Sequence, residues 1–489
     1  MKINKIDIPQ EVKATLTALN KGGFDAYIVG GCVRDLLLNT KPKDWDVTTN
    51  ATPKEIQKIF PESFYENNYG TVGVKTETKD ETLKIIEITP YRIESEYSDN
   101  RHPDSVTFSS KIEDDLQRRD FTINALAFDP NKSDIIDLYN GRGDLSSGVI
   151  KAVGDPNKRF KEDSLRILRA IRFAAQLNFS IEQKTIESVM ENSHLMGNVS
   201  RERVGREFEK IIMSKNPAIG LALAQKLNIL SYISPKLTET VGVKQNKQAH
   251  KYDVWEHIIR TLQHAADKNL SLEVRLAALF HDTGKVQTKR LSKGQTTFYS
   301  HEVVSAKIAR KALENLSFSR ETITKVEKLV RYHMFFSDTD QITHSAVRRL
   351  IVKVGEENIW DLINLRMCDR IGTGRPKEEP YRLRKFESMI EEVIRDPLSV
   401  SMLKIDGNQL MKMFHIKPGP KLGHILHALL EYVLEDPTKN TKMFLAKQSE
   451  KLLKLNEEEL KKIGERGKDT LKDTEEGVLH SIRSKRHVK

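Results

Sequence analysis

The chain has 489 residues, 38% hydrophobic and 30% charged, with a formal net charge of +11. That length is too great for one core, so about three or four domains are expected, and the apolar content excludes a disordered polymer. No apolar run approaches a membrane span, the opening residues lack a signal peptide's apolar core, and the positive excess favours a polyanionic partner such as nucleic acid. The two cysteines, Cys32 and Cys368, stand in no CxxC pair, which fits a reducing, cytoplasmic location.

In chain order, residues 27–29 predict a short strand that Gly30 and Gly31 break sharply, and residues 33–38 predict a short helix. Asp44 and Asp46 follow in a second extended run, where the period of two puts both carboxylates on one face. Glycines let backbone N–H groups approach an anion, and Arg34 adds charge there. A triphosphate seat beside a Mg²⁺ site is the expectation, suited to in-line phosphoryl transfer. Residues 52–60 predict a helix capped by Thr52, with Pro53 in its first turn and Glu55 three residues on. Residues 72–76 and 83–89 predict strands around a polar hairpin. Glu87, in the second of them, suits either a third metal-side carboxylate or a partner for Arg92. Residues 91–105 are polar and without periodicity, as in a loop. In RRDFTINA (118–125) the arginines suit bidentate contact with phosphate, and Asp120 and Asn124 suit a ribose hydroxyl. Residues 160–175 predict one continuous helix rich in arginine.

The stretch IVGGCVRDLLL (28–38) with DWD (44–46), then RRDFTINA and EDSLR (162–166), resembles the motifs of the class II tRNA nucleotidyltransferase and poly(A) polymerase family, within the DNA polymerase beta superfamily. The resemblance implies an α+β head, with a polymerase-beta-like nucleotidyltransferase sheet and helices, followed by all-α neck, HD and tail domains. It assigns Mg²⁺ to Asp44 and Asp46, phosphates to Gly31, Arg34 and Arg119, and base reading to Asp163 and Arg166 beside Glu162. That last pair has a physical logic. C and A both present an amino donor beside a ring-nitrogen acceptor, whereas U and G present the reverse. A carboxylate beside a guanidinium therefore complements only C and A. The competing reading is an i,i+3 surface salt bridge of little energetic consequence. Arg169 and Arg172 are expected to touch phosphate or to orient that pair. The family ties the loop at 91–105 to addition of the terminal A. SRERVGREFEK (200–210) resembles its fifth, structural motif and suggests no chemistry of its own.

Beyond residue 236 histidines gather on helical patterns, and LAALFHDTGK (276–285) places His and Asp side by side. The pattern H…HD…D resembles the HD phosphohydrolase superfamily, which implies a divalent metal (Mg²⁺, Mn²⁺, Ni²⁺ or Fe²⁺) on His257, His281, Asp282 and Asp369. His301 and His333 are not counted among those ligands. Near the end, Lys417 and Lys421 flank a Gly/Pro turn that suits either an RNA phosphate or an ordinary interhelical connection. The expected domains are a head at 1–150, a base-reading neck at 151–225, an HD domain at 226–395, and an RNA-binding helical region at 396–489 with a frayed basic end. The resemblance implies addition of C, C and A to tRNA 3′ ends from CTP and ATP. Poly(A) or A-only addition is an alternative. An HD-type RNA-end phosphatase or 2′,3′-cyclic phosphodiesterase as the main activity is another.

Overall fold

The computed structural model describes residues 8–65, 70–94, 105–245, 251–292, 295–335, 342–395 and 399–488. Two compact units divide the chain: Met1–His333 with Asn364–Pro376, and Met334–Ile363 with Lys377–Lys489. No described helix is long and apolar enough to cross a membrane.

The first unit begins with a mixed sheet. Its strands are β1 (Ala26–Val29), β2 (Asp46–Thr49), β3 (Ser63–Tyr65), β4 (Val72–Lys75) and β5 (Ile85–Pro90), followed later by β8 (Leu126–Asp129) and β9 (Asp134–Asp137). Between them β6 (Arg92–Glu94) and β7 (Val106–Phe108) form a separate antiparallel pair. The sheet order is β3-β4-β5-β2-β1-β8-β9, with only β2 and β5 running parallel. Ile28, Val47, Ile86, Ile88 and Phe128 line one core, and Ala170, Phe173 and Ala174 of the helix Leu165–Leu177 belong to the same cluster. Head and neck thus share buried apolar surface, the main favourable term in holding them together. Thr52 and Glu55 cap the helix Pro53–Ile59 reciprocally, as expected. Of the loop expected at 91–105, residues 95–104 lie outside the described residues.

The arginine-rich stretch is two helices, Pro156–Glu162 and Leu165–Leu177, interrupted at Asp163, whose backbone is extended at φ −139° and ψ 103°. The Asp163 carboxylate accepts the N–H of Leu165 at 3.1 Å. Short polar side chains that bond nearby backbone in this way compete with the helix ladder and favour helix ends.

The remainder of this unit is mainly helical, apart from two short strand pairs, Val149–Ile150 with Ser180–Ile181 and Arg290–Ser292 with Gln295–Thr297. Asp253, Ser271 and Ser319 cap the helices Val254–Asp267, Leu272–Phe280 and Arg320–Tyr332 by accepting backbone N–H groups. The helices His301–Asn315 and Ile359–Gly372 supply the other histidine and aspartate positions considered below.

In the second unit, Leu410, Leu429, Leu445 and Leu460 fill a core of their own. A Cβ at Gly464 would meet His424 at 2.7 Å, so glycine is what lets the helix Glu457–Lys485 lie against Pro420–Glu435. The basic end, expected to fray, is instead helical to Lys485. Arg483 forks onto Glu392 at 2.9 and 3.1 Å, and Arg486 reaches Glu391 at 2.6 Å. Carboxylates on the helix Tyr381–Ile394 therefore supply the partners that composition alone leaves out of view.

Candidate active site and metal centre

Gly30 ends β1 with φ at +84°, a conformation glycine adopts at no steric cost. A Cβ there would lie 2.8 Å from Arg119 Nη1 and 3.5 Å from Asp46 Oδ2, so the missing side chain is what lets guanidinium and carboxylate close on one point. Exposure alternates from open Asp44 through buried Trp45 to half-buried Asp46 and buried Val47, the period expected of an extended run. Burial, followed by the charges of Asp46 and Asp44, pushes the neighbouring Cys32 thiol up to about 12. In the parallel pairing of β2 with β5, Asp46 lies opposite Glu87, which places a third carboxylate on the same face. Hard oxygen donors beside a glycine-lined cradle are the donor set that suits Mg²⁺.

The arginines around this point are held by carboxylates and amides. Asp115, fully buried, bonds Arg118 at 2.5 Å and Arg119 at 2.9 Å. Burial would raise its carboxyl, but the two guanidinium groups outweigh that and hold it down at about 2. Arg34 donates to Asn124 at 2.7 Å and pairs with Asp35. The ribose contact expected of Asp120 does not fit its surroundings. Its Oδ1 accepts from Phe121 N and Asn124 Nδ2, while its Oδ2 faces Arg169 Nε and Nη2 at 2.7 and 2.5 Å. Each oxygen already has two donors, the capacity of a carboxylate. Arg172, expected to touch phosphate or to orient the base-reading pair, is 6% exposed, and its Nη1 lies 3.0 and 2.9 Å from the oxygens of Glu207. Arg34, Arg169 and Arg172 gather around the Phe173 ring at 5.2, 5.5 and 4.2 Å from its centre. Asp120 and Arg172 are therefore braces of the site.

The surface salt bridge that competes for Asp163 and Arg166 is not what forms. Arg166, 9% exposed, donates to Glu162 at 2.7 Å and to the Arg118 carbonyl at 3.0 Å, while Asp163 pairs with Arg203 at 2.8 Å. A cavity of 720 Å³ opens beside them, lined among others by Glu94, Arg118, Lys158, Arg159, Lys161 and Glu162. That volume is within the range that admits a small ligand.

The second cluster lies among the later helices of the same unit. His257 Nε2 sits 3.0 Å from His281 Nε2, 3.2 Å from Asp282 and 3.3 Å from Asp369. His301 and His333, left out of the expected ligand set, converge on the same aspartate. Their Nε2 atoms are 3.3 Å apart and lie 3.2 and 3.9 Å from Asp282 Oδ1. Among the described residues, two buried triads that could hold a metal ion therefore share Asp282: His257 with His281, and His301 with His333. His281, His301 and His333 each turn Nδ1 to a backbone carbonyl at 2.7–2.8 Å, which fixes the rings so that Nε2 faces the cluster. Burial would strip the proton from His257, but the hydrogen bonds of Asp282 and Asp369 prevail and push it up to about 9. Lys285, buried, bonds Asp282 at 2.6 Å and Gln245 at 2.7 Å. Imidazole and carboxylate donors from separate helices fit a divalent transition metal. The sequence signal for His301 and His333 was present, one at the start and one at the end of amphipathic helices. Lone histidines are common enough there that only convergence distinguishes them.

Residues 26–151 match the family described as Poly A polymerase head domain, and residues 254–370 match the HD domain. Residues 178–240 match the probable RNA and SrmB-binding site of polymerase A. The chain is 32% identical to the CCA-adding enzyme of Lactobacillus helveticus, over 92% of this chain and 100% of that one. It is 33% identical to that of Limosilactobacillus fermentum, with 93% and 100% covered. Among solved structures, the Bacillus stearothermophilus CCA-adding enzyme in complex with CTP superposes with a TM-score of 0.59 at 25% identity, covering 90% of this chain and 98% of that one.

Proposed function

Because this chain belongs to the CCA-adding enzyme family, we propose that it adds C, C and A in turn to the 3′ end of tRNA, using CTP and ATP and releasing pyrophosphate without a nucleic-acid template. The observation that carries this reading is the meeting of Asp46, Arg119 and Gly30 at the end of β1. Asp44 and Asp46 would hold Mg²⁺, which when bound offsets triphosphate charge and lowers the pKa of the primer hydroxyl. Arg119, braced by Asp115, and Arg34, braced by Asp35 and Asn124, present donors to the phosphates. Asp163 accepts from the amino group of C or A while Arg166 donates to the ring nitrogen beside it. Asp120 and Arg169 lock the neck helix to the head and so fix the distance between base and phosphate sites. Replacing Asp163 by alanine is expected to erase the preference for CTP over UTP before it erases turnover. Equal loss with every nucleotide, measured by single-turnover extension, would contradict the base-reading role.

The cluster around Asp282 supports a second activity, metal-dependent hydrolysis of phosphoesters such as RNA 2′,3′-cyclic ends. His257, His281, Asp282 and Asp369 would hold the metal, which when bound supplies a nucleophilic water. Asp282→Asn is expected to lose the divalent metal that the unaltered protein retains through gel filtration, as read by elemental analysis. Retention at the unaltered level would contradict the assignment.

A further inference from the structure

The helix Arg201–Ile212 bears the stretch to which sequence alone gives no chemistry. From it, Arg203 forks onto Asp163 with Nη1–Oδ1 at 3.1 Å and Nη2–Oδ2 at 2.8 Å. One turn later Glu207 takes Arg172. Successive turns of one helix therefore hold both ends of the segment from 163 to 172. Asp163 stands in the break between two helices, so its orientation depends on its own contacts. Those contacts can be counted. A carboxylate offers about four acceptor directions. Oδ1 accepts from Leu165 N and Arg203 Nη1, and Oδ2 accepts from Arg203 Nη2, leaving one direction on Oδ2 among the described contacts. Arg166 is held by Glu162, Arg159 O and Arg118 O through Nη1 and Nη2, with Nε and one N–H of Nη2 still able to donate.

We propose that Arg203 is a positioning residue for base selection: it turns Asp163 so that the remaining acceptor direction on Oδ2 meets the exocyclic amino group of C or A. This rests on the base-reading role given to Asp163 and Arg166 above. With the carboxylate pinned, a U or G carbonyl at that place sets lone pair against lone pair. With the carboxylate free to rotate, that mismatch is relieved by swinging Asp163 aside. Lysine keeps the charge but cannot fork onto both oxygens.

The test is single-turnover extension of tRNA lacking its terminal nucleotides, with CTP, ATP or UTP, by the full-length protein and its Arg203→Ala, Arg203→Lys and Asp163→Asn variants. The CTP/UTP rate ratio is expected to fall by about tenfold or more in Arg203→Ala and by a smaller factor in Arg203→Lys. A role limited to holding the fold lowers all three nucleotides together and leaves the ratio unchanged, which would overturn the proposal. Arg203→Lys decides the matter if the alanine variant does not fold. If Asp163→Asn keeps the ratio, the base-reading role itself fails. If Asp163→Asn collapses it while both Arg203 variants keep it, only the positioning role is lost.

Discussion

Asp46→Asn is expected to slow CMP addition to shortened tRNA by about 10³-fold or more while the melting temperature changes by only a few degrees. The substitution preserves shape and removes one negative charge at the head of β2, opposite Glu87 and across from Arg119. Support for a catalytic cation is worth several kcal/mol in the transition state, and each 1.4 kcal/mol is about tenfold in rate. Asp46 is half-buried at the start of the central strand β2, facing Gly30, with apolar Trp45 and Val47 turned into the core. The fold therefore leans on its neighbours more than on Asp46 itself. A rate within a fewfold of the unaltered protein would contradict the metal-holding role.

Asp115→Asn is expected to act first on stability. Asp115 is fully buried and is the shared anion of Arg118 and Arg119, and removing one partner from a buried ion pair costs about 3–5 kcal/mol. Denaturant unfolding followed by circular dichroism measures it. The pH dependence supplies a second check. Because its folded carboxyl is depressed to about 2 from an ordinary 3.8, its contribution is present above the ordinary value and is lost as pH falls through the folded one. The stability gap between the two proteins is therefore expected to narrow between about pH 4 and pH 2. A gap that stays constant there, or a variant as stable as its parent at neutral pH, would contradict the arrangement. Nucleotide addition is also expected to fall in this variant, because Arg119 loses the carboxylate that aims it.

Much of the fold was legible in the sequence because it rests on local signals. The capping box of Thr52 and Glu55, the glycine break after β1 and the period of two through Asp44, Trp45 and Asp46 all report short-range geometry. What escaped depends on contacts between distant residues. Nothing near Asp120 announces that Arg169, 49 residues on, will occupy its outer oxygen. Arg203 reaches Asp163 across 40 positions, and Glu207 reaches Arg172 across 35. The helix break at Asp163 was missed for a different reason. No glycine or proline stands between residues 160 and 175, so only the competition of Asp163 for the Leu165 N–H marks it. The order of the basic end is invisible in composition, because a Lys/Glu-rich stretch says nothing of the acidic row at Glu387, Glu391 and Glu392 that receives it.

Stage-by-stage extension tests the central claim most directly. Purified protein with Mg²⁺ would receive tRNA ending before the first C, after one C or after two, with a single nucleotide each time. The first two substrates are expected to gain C from CTP alone and the third to gain A from ATP alone, with elongation stopping once A is in place. Unlimited A addition to any end, A addition only, or no lengthening with Asp46→Asn indistinguishable from its parent would contradict it.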